Sequence, residues 1–147
     1  MIGLDLNEDI RWKQRFQNFG RAFSLLRSIA ESKSAEDFSD EECELIVGRF
    51  IFTFELAWKT LKDYLEYEGL KLTEASPRKV IKECAESGIF DAAETDAQVF
   101  IDMLEARNVM AHSYDYEKFK KITADIVGDY TRELDKIYFY FLSKVVE

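Results

Sequence analysis

The chain has a single proline and only six glycines in 147 residues. Turn-dense β architectures use both residue types freely, so their scarcity points towards an all-α protein. Cysteine is equally thin: Cys43 and Cys84 stand alone, no Cys-x-x-Cys pair exists, and there is one histidine. A zinc site built by this chain alone is therefore nearly excluded, and neither a metal nor another cofactor is expected. Two isolated thiols in helical stretches read as buried cysteines of a reducing compartment, which places the chain in the cytoplasm. No run of about 18 uncharged apolar residues is available to span a membrane. Met1 to Asn7 lacks the basic and then apolar pattern of a signal peptide.

What is present is one domain's worth of globular sequence, residues 1–147, with 47% hydrophobic and 33% charged residues. The net charge is −9 and the pI about 4.8. Such a surface argues against broad nucleic-acid binding through phosphates. RNA chemistry would need a local basic cleft on an acidic body, and a basic protein partner is equally compatible.

Apolar steps of three and four predict five helices. After a loose start over residues 1–8, the first runs from about Asp9 to Ser32, with Ile10, Trp12, Phe16, Phe19, Phe23, Leu26, Ile29 and Ala30 as its apolar positions. Its basic residues, Arg11, Lys13, Arg15, Arg21 and Arg27, form either a solvated face or a basic wall for a nucleotide or partner. Ser39 and Glu42 make a capping box for a second helix, about Asp40 to Glu68, which stops at Gly69. Its middle, Phe50 to Trp58, is apolar nearly all round and predicts a central helix. Glu55 is the one carboxylate in that run and needs a partner, either a structural ion pair or a site role beside Arg107. Ser76-Pro77 starts a short third helix ending at Gly88. Thr95 or Asp96 caps the fourth, and the fifth runs unbroken from about Glu117 to Val145. The picture is an up-and-down helical bundle of four longer helices and one short one.

One stretch carries chemistry: Arg107-Asn108-Val109-Met110-Ala111-His112-Ser113-Tyr114, at the end of the fourth helix. Asn108 and His112 fall about 40° apart on one helical face, so Asn108 is placed to bond the imidazole. Arg107 is about 140° away on an ideal helix, but its long side chain and a loosening helix end bring it within reach of the same cleft. The set suits a phosphodiester. A neutral imidazole accepts the proton of a ribose 2′-hydroxyl, and a guanidinium binds the phosphate through paired hydrogen bonds. Attack by the 2′-hydroxyl on its own phosphate needs no metal. A second histidine would come from a twofold-related subunit. The bare Arg-x4-His spacing is weak, and an Arg–carboxylate pair with a helix-capping histidine explains it as well. Tyr114 lies just past the helix end, where an aromatic often closes a bundle.

Taken whole, the stretch resembles the Arg-x4-His-x-Tyr signature of HEPN domains (higher eukaryotes and prokaryotes nucleotide-binding). Arg11-Trp12-x-Gln14-Arg15-Phe16-x-Asn18-Phe19 and Phe54-Glu55-x-x-Trp58-Lys59-x-Leu61-Lys62-x-Tyr64-Leu65 extend the likeness over nearly the whole chain. With them the chain resembles the bacterial and archaeal nucleotidyltransferase substrate-binding protein family. The resemblance implies a HEPN-like bundle that forms a homodimer with two Arg–His sites in one cleft, and a separately encoded minimal nucleotidyltransferase as partner. In many such pairs the HEPN chain is a metal-independent ribonuclease toxin, and the nucleotidyltransferase is the antitoxin that attaches AMP to the signature tyrosine. By position, Arg107 and His112 would be catalytic, Asn108 supporting, and Tyr114 the AMP acceptor, with RNA as a further partner; Glu55, in its site role beside Arg107, would be supporting too. The alternative is a non-catalytic subunit that presents a substrate, or its own tyrosine, to the nucleotidyltransferase. The aromatic surface left over from Phe50–Trp58 and the fifth helix is expected to form the dimer contact.

Overall fold

A computed structural model describes residues 6–147, which contain helices and turns and no strand. Helix α1 spans Leu6–Ala30 and α2 Asp40–Tyr67, with a single 3₁₀ turn, Ala35–Asp37, between them. Then come α3 (Pro77–Glu86), α4 (Ile89–Ala93), α5 (Ala97–Ala111) and α6 (Tyr116–Asp125). A π-helical turn, Ile126–Tyr130, joins α6 to α7 (Thr131–Val145). The chain is an all-α bundle organised on α2, which packs against α1, α3, α5 and α6.

The helix ends follow from local chemistry. Ser39 Oγ accepts from the Glu42 amide at 3.1 Å while Glu42 Oε1 accepts from the Ser39 amide at 2.9 Å, so the capping box forms as expected. At the other end Gly69 takes φ +97, its amide reaches Glu66 O and the Leu70 amide reaches Leu65 O, closing the helix with a left-handed cap. Asp96 rather than Thr95 caps α5, accepting from the Gln98 amide at 2.9 Å. Thr95 instead donates to the buried Glu133 of α7 at 2.7 Å.

The core is aromatic. Trp12, Phe16 and Phe19 of α1 pack with Tyr64 of α2 and with Tyr138 and Phe141 of α7. Phe50 stacks on Tyr130, whose ring comes from the π turn, at 5.3 Å between centroids. Cys43 and Cys84 are both buried and free, and burial pushes the Cys84 thiol well above its ordinary range.

Four expectations are corrected. The loose start over residues 1–8 lies outside the described residues as far as residue 5, and helix is already formed at Leu6. Ile10, Val109 and Leu142, expected inside, are 52%, 44% and 39% exposed. The segment after Gly88 folds into α4, because Phe90 stacks on Phe100 of α5 at 4.8 Å and anchors a helix too short to show a period. The helix expected to run unbroken from Glu117 widens at Ile126–Tyr130. The inward residues Ile122, Ile126, Tyr130 and Leu134 are spaced by four three times running. On an ideal α-helix such a row drifts round the axis by about 40° each step. A wider π turn at Gly128 takes up that drift and keeps all four inside.

The basic face of α1 is largely neutralised. Arg11 pairs with Glu66, Lys13 with Asp9, Arg15 with Asp63 and Arg27 with both Glu31 and Asp135. A wall held this way has little free charge for a nucleotide, which favours the structural reading of that face. The Arg15–Asp63 pair is uneven: the Asp63 side chain is 1% exposed and the Arg15 side chain 33%. Removing Arg15 strands a buried carboxylate with only Lys62 nearby, at 3.7 Å, whereas removing Asp63 frees an arginine that can turn to water. We expect Arg15→Met to cost about 3 kcal/mol and Asp63→Asn about 1 kcal/mol in urea unfolding. Equal losses would refute this asymmetry.

Candidate functional site

Helix α5 delivers the chemistry-bearing stretch. Its last helical residue is Ala111, and His112 is the C-cap, with φ −123, ψ 8 and its amide donating to Val109 O at 3.3 Å. The imidazole is exposed at the negative end of the helix, and no side-chain hydrogen bond to it is present among the described residues. Asn108 does not hold it. Its Oδ1 accepts from Arg107 Nη1 at 2.9 Å instead.

Arg107 lies across α2. Its Nη2 is 2.6 Å from Glu55 Oε1, with side chains 29% and 24% exposed. That oxygen has no well-aligned hydrogen bond, so charge rather than bond geometry carries the contact. Glu55 Oε2 accepts from the indole N–H of Trp58 at 3.1 Å. Glu55 thus has the ion-pair partner its burial demanded, and that partner is Arg107, so its structural role and its place beside the site coincide. Asn108 takes one of the guanidinium's N–H groups and Glu55 pairs with it by charge, which leaves N–H groups for a ligand.

Tyr114 sits in the turn between α5 and α6. It is 72% exposed, so it does not close the bundle end. Its ring stands edge-on to Phe119 at 5.5 Å and to Tyr116 at 6.1 Å. Its hydroxyl donates to Glu44 Oε1 on α2, and Tyr116 Oη lies 3.5 Å from the other oxygen, Oε2. The Glu44 charge, then burial, then Asp40 and Glu41 push the Tyr116 phenol above its ordinary value. Asp115 caps α6 by accepting from the Glu117 amide at 2.9 Å, which fixes the far end of the turn.

The structure therefore brings Arg107, Asn108 and Glu55 together, places Tyr114 with Glu44 and Tyr116, and leaves His112 open between the two groups. No direct hydrogen bond links Arg107 to His112 among the described residues. Beside them, a hollow of about 440 Å³ between α5, α6 and the π turn is walled by Asp102, Glu105, Val109, Lys118 and Lys121, among others. Sequence reasoning missed Glu44 and Tyr116. Glu44 and Glu55 are eleven residues apart, three helical turns, so they share one face of α2 with their carboxylates ~16 Å apart along the axis. That spacing was legible, but nothing in the sequence said that α5 would end against it.

The Glu55–Arg107 pair is partly exposed, which sets its scale. We expect a double-mutant cycle with Glu55→Ala and Arg107→Ala to give a coupling of about 1 kcal/mol in thermal or urea unfolding. A coupling of zero would mean that the contact does not hold α5 to α2.

A family model described as nucleotidyltransferase substrate binding protein like matches residues 14–141. No curated protein matches the chain. Three chains of known structure do. One of them, a crystal structure of a protein from Thermus thermophilus, is 30% identical with a TM-score of 0.70, over 88% of this chain and 99% of that one. Arg107, Asn108, His112, Tyr114 and Glu55 all lie within the matched span, and the chain belongs to the nucleotidyltransferase substrate binding protein like family.

Proposed function

We propose that this chain is a HEPN-type subunit that works with a minimal nucleotidyltransferase, cleaves RNA without a metal through Arg107 and His112, and is silenced by AMP on Tyr114. The observation that carries the reading is the end of α5 with the turn that follows it. Within eight residues it sets a guanidinium, an unencumbered imidazole and a tyrosine that is 72% exposed. In the cleavage step His112 takes the proton of the 2′-hydroxyl as that oxygen attacks the adjacent phosphorus. Arg107 binds the phosphate oxygens as charge builds on them. The departing 5′-oxygen is protonated by the same histidine of a second copy. Glu55 holds the guanidinium on α2, and Asn108 supports it through Nη1. AMP on Tyr114 would add bulk and negative charge over the approach to Arg107.

A homodimer is part of this reading. On α2 Leu45 and Phe52 are 45% and 62% exposed, and with Leu25 of α1 they line an open hollow of about 500 Å³ at Gly48. Phe52 lies on the strip between Glu44 and Glu55, so a second copy seated there would bring its own turn towards the first. The α7 residues Phe139 and Leu142, 57% and 39% exposed, supply further apolar surface.

A second reading is favoured by charge. Arg107 is balanced by Glu55, and Asp40, Glu41 and Glu44 line the rim by Tyr116. A subunit that only presents Tyr114, or another substrate, to the nucleotidyltransferase needs no phosphate affinity of its own.

Expression in a bacterial host separates the two. The ribonuclease reading expects wild type to arrest growth and cut RNA in the presence of a chelator, and Arg107→Ala with His112→Ala to do neither. Equal growth and intact RNA with both proteins reject it and leave the presenting role. Phe52→Glu is expected to convert the dimer to a monomer in light scattering and to abolish cleavage. An unchanged mass in solution would remove the dimer face.

A further inference from the structure

The turn carries two phenols on one carboxylate, and that arrangement has a chemical consequence at Tyr114. A phenol with a pKa near 10 is ionised to only about one part in a thousand at neutral pH, so as a nucleophile it needs a base at its hydroxyl. Glu44 is the group that accepts the Tyr114 hydroxyl's hydrogen bond in the structure. Its second oxygen faces Tyr116 Oη at 3.5 Å, and the Tyr114 ring is fixed edge-on against Tyr116 and Phe119. The carboxylate is thus held from one side while the rest of the Tyr114 hydroxyl faces solvent.

The geometry points to Glu44 as the residue of this chain that aims the Tyr114 hydroxyl and receives its proton during nucleotidyl transfer. The proposal rests on the reading of Tyr114 as the AMP acceptor and names the group that makes it reactive. In the step, a lone pair of Tyr114 Oη attacks the α-phosphorus of a nucleoside triphosphate bound by the nucleotidyltransferase. The Oη–P bond forms, the bond from that phosphorus to the bridging oxygen breaks, and pyrophosphate leaves with that electron pair. The phenolic proton passes to a Glu44 oxygen and from there to water. A carboxylate is a weak base towards a free phenol, but the phenol becomes far more acidic as its oxygen bonds to phosphorus, so the transfer runs downhill late in the step. Tyr116 is a positioning residue, because it steadies Glu44 without meeting the nucleotide.

The test uses the full chain with a minimal nucleotidyltransferase of the kind proposed as its partner, ATP, and mass spectrometry of the Tyr114 peptide over time. Wild type is expected to gain AMP on Tyr114. Glu44→Gln keeps the shape and one acceptor but is a far poorer base, and it is expected to slow modification about 100-fold. Glu44→Ala should be at least as slow. The pH profile separates chemistry from mere support. The wild-type rate should be nearly flat from neutral pH upward, while the Glu44→Gln rate climbs about tenfold per pH unit as phenolate forms. Tyr116→Phe should retain the wild-type profile with a rate within a fewfold. Circular dichroism and the thermal midpoint report whether each variant is folded, and Glu44→Gln is the variant read if Glu44→Ala is not. Equal rates for wild type and a folded Glu44→Gln, or slow modification with parallel pH profiles, overturn the role of Glu44 alone. Wild type left unmodified, or modified on Tyr116 instead, overturns the Tyr114 reading and this inference with it.

Discussion

A helix packed on several sides has little room for charge, and that constraint on α2 shapes the rest of the molecule. Phe50, Thr53, Phe54, Ala57, Trp58 and Leu61 are all buried against neighbouring helices. The carboxylates that α2 presents towards the α5–α6 turn are confined to the strip those neighbours leave open, where Glu44 and Glu55 lie on one face. The end of α5 meets that strip. Each of the two carboxylates then fastens one end of the Arg107–Tyr114 stretch: Glu55 takes the arginine and Glu44 takes the tyrosine. The histidine between them is held only by its backbone. Two anchors and a free middle are a way to display an imidazole in a short turn without committing it to a partner.

The anchors have an electrostatic cost. An arginine paired at 2.6 Å with a carboxylate exerts little attraction at long range, because the two charges nearly cancel beyond a few ångströms. With a net charge of −9, the chain does not steer RNA towards the site from a distance. Phosphate affinity would have to arise at contact, where a guanidinium with unused N–H groups bonds a phosphate without releasing Glu55. Two such sites in one dimer cleft would add what one lacks. The same charge distribution is no handicap for meeting a basic protein surface.

Much of this was readable in advance, and the exceptions have physical causes. The capping box at Ser39, the glycine stop at Gly69 and the Ser76-Pro77 start all formed as expected, since caps depend on three or four adjacent residues. The central place of α2 followed from its apolar girth. The short helix α4 and the widening at Gly128 escaped because both are imposed by packing, through Phe90 on Phe100 and through the inward row ending at Leu134. At the site, the pairing of Glu55 with Arg107 was among the expected outcomes because a buried carboxylate has few remedies. Asn108 accepts from Arg107 rather than bonding His112, since the long arginine side chain can fold back to its neighbour's amide across the angle that an ideal helix sets between them. Glu44 lay 70 residues from Tyr114 and gave no local sign.

On the proposed reading, one short stretch would serve two chemistries that make opposite demands. Binding a phosphodiester requires positive charge, and making a tyrosine nucleophilic requires a base, which at neutral pH is most simply negative. Placed side by side the two would cancel. Here they are separated along α2 by three turns of helix, ~16 Å, which is more than a Debye length in physiological salt. The acidic rim of Asp40, Glu41 and Glu44 therefore acts on Tyr116, and Glu44 holds Tyr114, with little effect on Arg107, while Glu55 forms its ion pair with Arg107. Shifting either carboxylate by one turn towards the other would merge the two environments. On that reading, the spacing of Glu44 and Glu55 on one face of a rigid helix is what would keep an anion site and a tyrosine acceptor distinct within eight residues of chain.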